Sequence, residues 1–210
     1  MNIEYPKIPN VYRREEHGNN RLLIGEYSSE ELEFLADCDW EWTEKVDGTN
    51  IRIMWDGHRV TIGGRTDRAQ IPAHLYERLT ELFLGENKEE LFEQRFGEQE
   101  VILFGEGFGE KIQTGGGLYG PADFILFDVK IGDWWLRRCD VEDIASVFGI
   151  RVVPIVGHGT LPEAVEYIKT IPHSRLRDAA MEGVVARPRV EMRARNGSRI
   201  VVKVKCRDFK

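Results

Sequence analysis

The sequence predicts an α+β fold with mainly antiparallel sheets. Runs rich in β-branched and aromatic residues recur along the chain, two of them meet at the hairpin turn Asp56-Gly57, and helical segments are scattered irregularly among them. Hairpin-paired strands with helices interspersed in this way are typical of the α+β class. Because no repeat or low-complexity linker interrupts the 210 residues, we expect a single domain over residues 1–210 with no internal boundary.

Capping residues mark the predicted helices. Ser28 and Glu31 have the spacing of a capping box ahead of LEFLAD, and Thr160 with Glu163 opens a helix over LPEAVEYIKT. Gly149 closes a further helix over VEDIASVFG. The remaining two helices are predicted at residues 72–84 and 87–96.

Eight strands are predicted between and around these helices from their apolar runs. The first two are the arms of the Asp56-Gly57 hairpin. In chain order the predicted strands are residues 50–56, 58–64, 100–108, 123–131, 134–138, 150–157, 182–188 and 199–206.

The composition is that of a soluble protein with a substantial core. Hydrophobic residues make up 41% of the chain, and no stretch approaches the ~20 uninterrupted apolar residues that a membrane span needs. The first residues, MNIEYPKIPN, lack the apolar core of a signal peptide. We therefore expect a cytoplasmic protein with no membrane partner.

Charge is distributed unevenly along the chain. A net charge of -7 argues against a protein that grips nucleic acid with its whole surface. From residue 186 to the end, however, Glu191 and Asp208 are outnumbered by basic residues, so this segment could face a polyanion. Those basic residues are Arg187, Arg189, Arg193, Arg195, Arg199, Lys203, Lys205, Arg207 and Lys210.

Lys45, in the stretch TEKVDGTN, is the first candidate for chemistry. An amine near its ordinary pKa of ~10.4 is protonated at neutral pH and is not a nucleophile. Desolvation or neighbouring cations lower the pKa of a lysine enough for it to attack. A catalytic Lys45 therefore predicts further lysines and a bound metal ion, whereas a solvated surface lysine predicts neither.

Five more blocks follow EKVDGTN in order: GGRT (63–66), LFGEGFG (103–109), DFILFDV (123–129), MEGVVAR (181–187) and VVKVKC (201–206). At these residues the sequence resembles the covalent nucleotidyltransferase superfamily of polynucleotide ligases and capping enzymes. Within it, EKVDGTN is most similar to the RNA ligase 2 type. The resemblance implies a nucleotidyltransferase, ATP-grasp-like core of antiparallel sheets flanked by helices.

The resemblance also implies a reaction. Lys45 would attack the α-phosphate of ATP and hold AMP through a phosphoramidate bond. The AMP would then pass to the 5′-phosphate of a nucleic acid, and a 3′-hydroxyl would displace it, as in repair of a nick. Successive phosphoryl transfers need charge neutralisation more than they need a general base. The implied cofactors are ATP and Mg²⁺ or Mn²⁺, which both suit oxygen ligands.

Lys203 and Lys205 alternate along one predicted strand, so both should project from the same face while Val202 and Val204 pack behind them. On the strand pattern alone they could equally form a solvated stripe on an edge strand. The resemblance implies that both lysines contact the α-phosphate. It also places Arg65 on the ribose or on the 5′-phosphate of the acceptor strand.

Two glutamates are implied as nucleotide and metal ligands. Glu106 lies between two glycines, which let the backbone approach a ligand, and in the family this carboxylate accepts hydrogen bonds from the ribose. Glu182 would help to bind the divalent ion through water, because Mg²⁺ gives up its hydration reluctantly. We assign both glutamates to the metal site, with Glu182 the main contributor.

The remaining implied contacts concern the nucleotide. Phe124 would stack on adenine, while Phe127 would project from the opposite face of its strand into the core. Glu44 would read the adenine amino group, and Asn50 would contact phosphate. Asp47 instead matches DNA ligases and capping enzymes, which leaves the sugar preference open.

Larger ligases continue past this core with an OB-fold or a helical domain, and none is expected here. Nucleic acid with a 5′-phosphate end would be the partner, as nicked duplex RNA, an RNA/DNA hybrid or DNA, and an accessory protein or domain could act in trans. Three functions remain open: an ATP-dependent RNA ligase, a minimal ATP-dependent DNA ligase, and an inactive ligase-derived module that binds nucleotide or nucleic acid.

Overall fold

The computed structural model of the protein describes residues 4–17 and 19–209, excluding the side chain of residue 86. These residues form two compact units. The first unit comprises residues 4–6 and Asp47–Val153, and the second comprises Lys7–Val46 and residues 154–209. The chain passes from one unit to the other at three places: between Pro6 and Lys7, between Val46 and Asp47 within EKVDGTN, and between Val153 and Pro154.

Strands and helices are mixed along both units. None of the helices in the described residues combines the length and the apolar character needed to cross a membrane. In chain order the elements are β1 (Tyr12–Arg14), β2 (Leu22–Tyr27), α1 (Glu30–Phe34), β3 (Trp40–Glu44), β4 (Thr49–Trp55), β5 (Val60–Gly64), α2 (Ala73–Phe83), α3 (Glu86–Phe96), β6 (Val101–Phe108), β7 (Asp123–Ile131), β8 (Trp134–Trp135), α4 (Arg138–Phe148), β9 (Arg151–Val152), β10 (Ile155–Gly159), α5 (Leu161–Lys169), β11 (Gly183–Pro188) and β12 (Val202–Lys205).

The first unit is a six-stranded sheet covered by helices. Its strands lie in the order β5-β4-β6-β7-β8 and pair antiparallel, and β9 adds to β7 in parallel. Alternate residues of β4, Ile51, Ile53 and Trp55, face a core that α2, α3 and α4 complete. The other face of the sheet therefore carries the polar members of the same strands.

The second unit is a four-stranded antiparallel sheet in the order β10-β3-β11-β12 with the separate hairpin β1-β2. Trp40, Val184 and Val204 bury one face of the sheet in a core that includes the apolar side of α5. The segment before β1 lies along β12, where the Lys203 N–H donates to the Pro9 carbonyl at 2.9 Å. β12 is thus covered on the side that no strand of its sheet occupies.

The predicted α+β class with mainly antiparallel sheets is confirmed, and most elements lie where the sequence places them. The capping box of Thr160 and Glu163 is present, and α2 and α3 match the two helices predicted from residues 72 and 87 onward to within one residue at each end. The cap of α1 was predicted one residue early. Ser29 accepts the Leu32 N–H, whereas the hydroxyl of Ser28 donates to the Asn10 carbonyl.

Three strand predictions need correction. Residues 150–157 form two strands, β9 and β10, in different units, because the chain leaves the first unit at Pro154. The strand predicted at 134–138 ends at Trp135, where α4 is about to begin. β1, β2 and β3 were not predicted: β1 and β2 are short and carry exposed polar residues, and β3 is only five residues long.

The undivided domain predicted over 1–210 contrasts with the two compact units. Each of the three crossings takes a single peptide bond, and none lies in a glycine- or serine-rich linker. The second crossing falls inside EKVDGTN. Composition therefore carries no signal for this division.

Gly105 in β6 is a position where added volume should cost stability. A Cβ at Gly105 would collide with the ring of Phe124 and the Ile125 carbonyl in the core of the first unit. We expect Gly105→Ala to lower the free energy of unfolding by about 1–3 kcal/mol, measured by urea denaturation. Gly117→Ala is the matched control, because its Cβ would meet open space. Equal unfolding midpoints for the two variants would contradict the tight contact.

Candidate active site

Lys45 directly follows β3 in the second unit. Its backbone N–H donates to the Gly183 carbonyl at 2.9 Å, so the pairing of β3 with β11 fixes its position. Its side chain is 23% exposed, and Nζ lies 2.6 Å from Oε2 of Glu182. Lys45 is therefore a partly buried lysine fixed by Gly183 and Glu182, and not a solvated surface lysine.

Glu182 bridges two of the predicted site lysines. Its Oε2 contacts Lys45, and its Oε1 lies 3.4 Å from Nζ of Lys205. The Glu182 carbonyl accepts the Cys206 N–H at 2.9 Å, which ties the residue to the end of β12. The structure thus brings together one carboxylate and two ammonium groups that are far apart in sequence.

Lys203 and Lys205 share one face of β12, as predicted. Val202 and Val204 are buried, whereas both lysines are partly exposed on the other side. Burial, and then the charges of Lys205, Lys45 and Lys7, lower the pKa of Lys203 to about 8. Burial is the largest cause of that shift, and the positive charge around Lys203, which an anion would relieve, adds to it.

Glu44, which precedes Lys45, is 1% exposed. Its Oε1 accepts the hydroxyl of Ser174, and its Oε2 accepts the Arg175 N–H at 2.8 Å. The same hydroxyl of Ser174 accepts the N–H groups of Leu176 and Arg177. A buried carboxylate needs such donors. The turn at residues 174–177 that supplies them was not predicted, because no sequence motif marks it.

Asn50 and Glu106 are brought together in the first unit. They are direct partners in the pairing of β4 with β6, so both project from the face opposite the helices. Oδ1 of Asn50 is buried without a hydrogen-bond donor from another described residue. A Cβ at Gly48 would lie only 2.8 Å from Cγ of Glu106, so the glycine of EKVDGTN is required beside this pair.

Arg65 follows β5 and is exposed. Its turn is held by Arg52, whose side chain is fully buried. Nε of Arg52 donates to the Gly64 carbonyl at 2.7 Å, and Nη2 contacts Asp67 at 2.7 Å. Arg52 was missed by the sequence analysis, because its place in an alternating strand resembles that of any polar residue facing solvent.

Phe124 does not occupy the position expected for stacking on adenine. It is 1% exposed, its ring centroid lies 5.2 Å from that of Phe83, and its strand partner is Gly107 on the helix-covered face. Glu106 and Asn50 project from the other face. Phe127, expected in the core, is the less buried of the two phenylalanines because a bulge displaces β7 at this point. The stacking role of Phe124 is therefore withdrawn.

The glycine-rich segment at residues 109–120 contacts the motif after Lys45. The Asp47 N–H donates to the hydroxyl of Tyr119 at 3.1 Å, and Nε2 of Gln113 donates to the Gly48 carbonyl at 3.1 Å. A flexible connection was the alternative on sequence grounds. These contacts instead make the segment a support for Asp47 and Gly48.

Glu106 and Glu182, the predicted metal ligands, belong to different units. Within the part of the chain that the structure describes, no group of three or more His, Cys, Asp or Glu side chains is arranged to hold a metal ion. A largely hydrated Mg²⁺ needs only one or two carboxylates, so a single one of these glutamates would be enough to contribute to such a site.

The basic segment after Ala186 is partly neutralised within the second unit. Arg189 pairs with Asp39 at 3.0 Å, and Arg199 pairs with Glu191 at 2.6 Å. Such pairs reduce the charge available to a polyanion. The positive charge near the site therefore comes mainly from the end of the segment, at β12 and beyond.

The lowered pKa of Lys203 predicts a pH dependence of stability. The pKa of Lys203 is 10.5 in the unfolded chain and about 8 in the folded protein. Below pH 8 Lys203 is therefore charged in both the folded and the unfolded protein, and the free-energy cost of burying its charge lowers the stability in full. Between about pH 8 and 10.5 the unfolded state binds more protons, and the free energy of unfolding should rise with pH. Lys203→Met should lack this rise in urea denaturation, whereas the control Lys88→Met should keep it. Parallel curves for wild type and Lys203→Met would contradict the assignment.

Ser174 should contribute measurably to stability. Ser174→Ala removes one donor from the buried Glu44 and the acceptor of two backbone N–H groups. We expect the free energy of unfolding to fall by about 1–3 kcal/mol, measured by urea denaturation. In the control Ser198→Ala, an exposed hydroxyl bonded to Asn196 is lost, and little change is expected. A loss no larger than that of the control would show that Glu44 does not depend on Ser174.

Comparison with solved structures identifies the fold. The chain is 20% identical to an apo mutant of Naegleria gruberi RNA ligase with a TM-score of 0.64, covering 96% of this chain and 57% of that one. A mutant of the same ligase with ATP and Mn is also 20% identical, with a TM-score of 0.62, and the alignment covers 82% and 50% of the two chains. A third structure, with PPi, gives a TM-score of 0.61 at 20% identity, with 82% and 51% covered. The chain thus spans about half the length of these ligases and shares their fold.

The sequence matches the model of one protein family, described as RNA ligase, over residues 39–205. The matched range begins just before β3 and ends at Lys205, and so contains Lys45 and every other site residue predicted above. It covers well over half of the chain. The protein therefore belongs to the RNA ligase family.

Proposed function

We propose that this protein is an ATP-dependent RNA ligase that joins 5′-phosphate and 3′-hydroxyl ends at nicks through a covalent lysyl-AMP on Lys45. The observation that carries the proposal is the cluster of Lys45, Lys203 and Lys205 around Glu182. Three lysines against one carboxylate form an anion site beside a candidate nucleophile. Phosphoryl transfer needs this arrangement.

In the first step, the neutral amine of Lys45 attacks the α-phosphorus of ATP. The N–P bond forms, the bond from the α-phosphorus to the bridging oxygen breaks, and pyrophosphate leaves with the electron pair of that bond. The nitrogen loses a proton to solvent. Lys203 and Lys205 neutralise charge on the phosphate as it is transferred.

The contact between Lys45 and Glu182 defines a resting arrangement. Nζ of Lys45 lies 2.6 Å from Oε2 of Glu182, and a nitrogen held in this contact is not free to approach phosphorus. Attack therefore requires this contact to loosen. Once Lys45 carries AMP its positive charge is gone, and Oε2 of Glu182 is released for another partner.

The second and third steps use the same cations. An oxygen of the RNA 5′-phosphate attacks the lysyl-AMP phosphorus, the N–P bond breaks, and Lys45 recovers a proton. The 3′-hydroxyl of the other strand then attacks the activated 5′-phosphate, and AMP leaves as the phosphodiester bond forms. All three steps exchange substituents at phosphorus without oxidation or reduction.

Roles in nucleotide binding follow from the surroundings of each residue. Oδ1 of Asn50 is an acceptor without a donor, which suits a ligand hydroxyl or a metal-bound water beside Glu106. Glu44 accepts the adenine amino group in this proposal, because each carboxylate oxygen has a second lone pair beyond those that Ser174 and Arg175 use. Arg65 contacts the ribose or the acceptor phosphate.

We propose Glu182 in the second unit and Glu106 in the first as residues that can each hold Mg²⁺ or Mn²⁺ through water. The ion would supply positive charge to the triphosphate. The residues fit such an ion because their carboxylates are partly exposed and hard oxygen ligands are what it prefers.

Covalent labelling tests the proposal. With α-labelled ATP and Mg²⁺, wild type should acquire label that survives denaturing gel electrophoresis, while Lys45→Ala should acquire none and Lys45→Arg none above background. Lys88→Ala is the control for loss of an amine elsewhere and should label normally. Label on Lys45→Ala would refute the assigned nucleophile, and no label on wild type would favour an inactive module.

A panel of 5′-phosphorylated nicked duplexes tests the substrate. Addition of nicked RNA to labelled enzyme should release the label as the nick closes, and nicked DNA should release it at least tenfold more slowly. The reverse order would favour the minimal DNA ligase, which Asp47 suggests. Label that is never released would point to an accessory domain or protein acting in trans.

A further inference from the structure

A polar cleft of about 350 Å³ opens beside β12 in the second unit. Lys203 and Lys205 line it, and Arg207 continues the line of cations into the 3-10 turn after the strand. The other lining residues are Asn10, Arg14, Asn19, Asn20 and Asp208. The cleft therefore begins at residues of the candidate active site and extends past them.

A second cleft, of about 490 Å³, adjoins the first, because Arg14, Asn19, Asn20, Arg207 and Asp208 line both. We call the two together the basic track. The second cleft adds cationic and apolar side chains. These are Arg21 and Lys169, and Leu22, Ile24 and Phe209.

Positive charge dominates the basic track. Its lining contains one carboxylate, Asp208, which pairs with Arg14 at 2.6 Å. Arg21 and Arg207 are exposed and form no ion pair with another described residue. At its inner end, burial lowers the pKa of Lys203 and the neighbouring lysine charges add to that effect. An anionic ligand would compensate charge that the chain itself leaves uncompensated.

The walls of the basic track are held in place by the fold. The Val11 N–H donates to the Lys203 carbonyl at 3.1 Å, which fixes the segment of Asn10 against β12. Nη1 of Arg14 donates to the Asn20 carbonyl at 2.9 Å, and this fixes the entry to the next strand. A groove with anchored walls costs little to order when a ligand binds.

We propose that the basic track binds the sugar–phosphate backbone of a single RNA strand, running from Lys203 and Lys205 past Arg207 to Arg21. The identity of the strand as RNA rests on the proposed function. Cationic grooves that also present apolar side chains are typical of single-strand binding, because phosphates and the less polar sugars and bases alternate along the strand.

The extent of the track favours a strand over the triphosphate of ATP, which has the same phosphate chemistry. The β- and γ-phosphates would need only the end beside Lys203 and Lys205. They would leave Arg21 and the apolar wall of Leu22, Ile24 and Phe209 without a role. A strand several nucleotides long uses all of these residues.

The test measures RNA binding and adenylylation separately in Arg21→Gln, Arg207→Gln and the double variant. The probe is a fluorescein-labelled single-stranded RNA with a 5′-phosphate, followed by fluorescence anisotropy over a series of salt concentrations. Each single variant should weaken binding about three- to tenfold and lower the salt slope by about 0.7. The ATP concentration for half-maximal lysine labelling should stay within about twofold. Arg95→Gln, on the exposed side of α3, is the control for loss of one positive charge and should change neither.

Two results would overturn the inference. Unchanged RNA affinity together with a higher ATP concentration for half-maximal labelling would assign the basic track to the triphosphate. If neither quantity changed, the basic track would bind neither RNA phosphates nor the triphosphate. Failure of the proposed function gives a different result. Wild type would then take no label from ATP, yet RNA binding and its dependence on Arg21 and Arg207 would still be measured.

Discussion

The register of three neighbouring strands holds the candidate active site together. β11 pairs with β3 on one side and β12 on the other, so that Val184 lies opposite both Glu44 and Val204. In this register, Lys45 bonds to Gly183 from the β3 side, and Lys205 pairs with Gly183 from the β12 side. Glu182, the residue before Gly183, therefore lies between the two lysines. A slip of one residue in either pairing would turn a lysine to the buried face, where Val184 and Val204 now exclude water.

Within each unit, the residues proposed to contact a ligand are fixed by others that are not. Arg52 holds the turn of Arg65. Ser174 and the N–H of Arg175 hold Glu44, while Tyr119 and Gln113 hold the backbone of Asp47 and Gly48. Each support comes from a segment distant in sequence. Side chains fixed in this way lose little conformational entropy when a ligand binds, so less of the binding free energy is spent on ordering them.

The sequence predicts the fold class because strand, turn and cap patterns are local, whereas the grouping of Lys45 with Lys203 and Lys205 was implied by the family resemblance. Strand alternation correctly places Lys203 and Lys205 on one face. The role that the resemblance implied for Phe124 fails, because which face of a strand receives the helices is decided by the packing of the whole unit. The turn at Ser174 was also missed, since its role arises only when a buried carboxylate comes to rest beside it. The family resemblance supplies residue roles, but not these supporting contacts.

The discontinuous second unit has a consequence for synthesis of the chain. Residues 47–153 are almost a complete unit in one continuous stretch, so their sheet and helices can form as soon as they leave the ribosome. β3, by contrast, emerges early and must wait for β10, β11 and β12. Such long-range pairing is slow to form. The nascent chain therefore carries Lys45, the proposed nucleophile, for most of translation without Glu182 and Lys205, and the cluster of these three residues can form only after residue 205 is added.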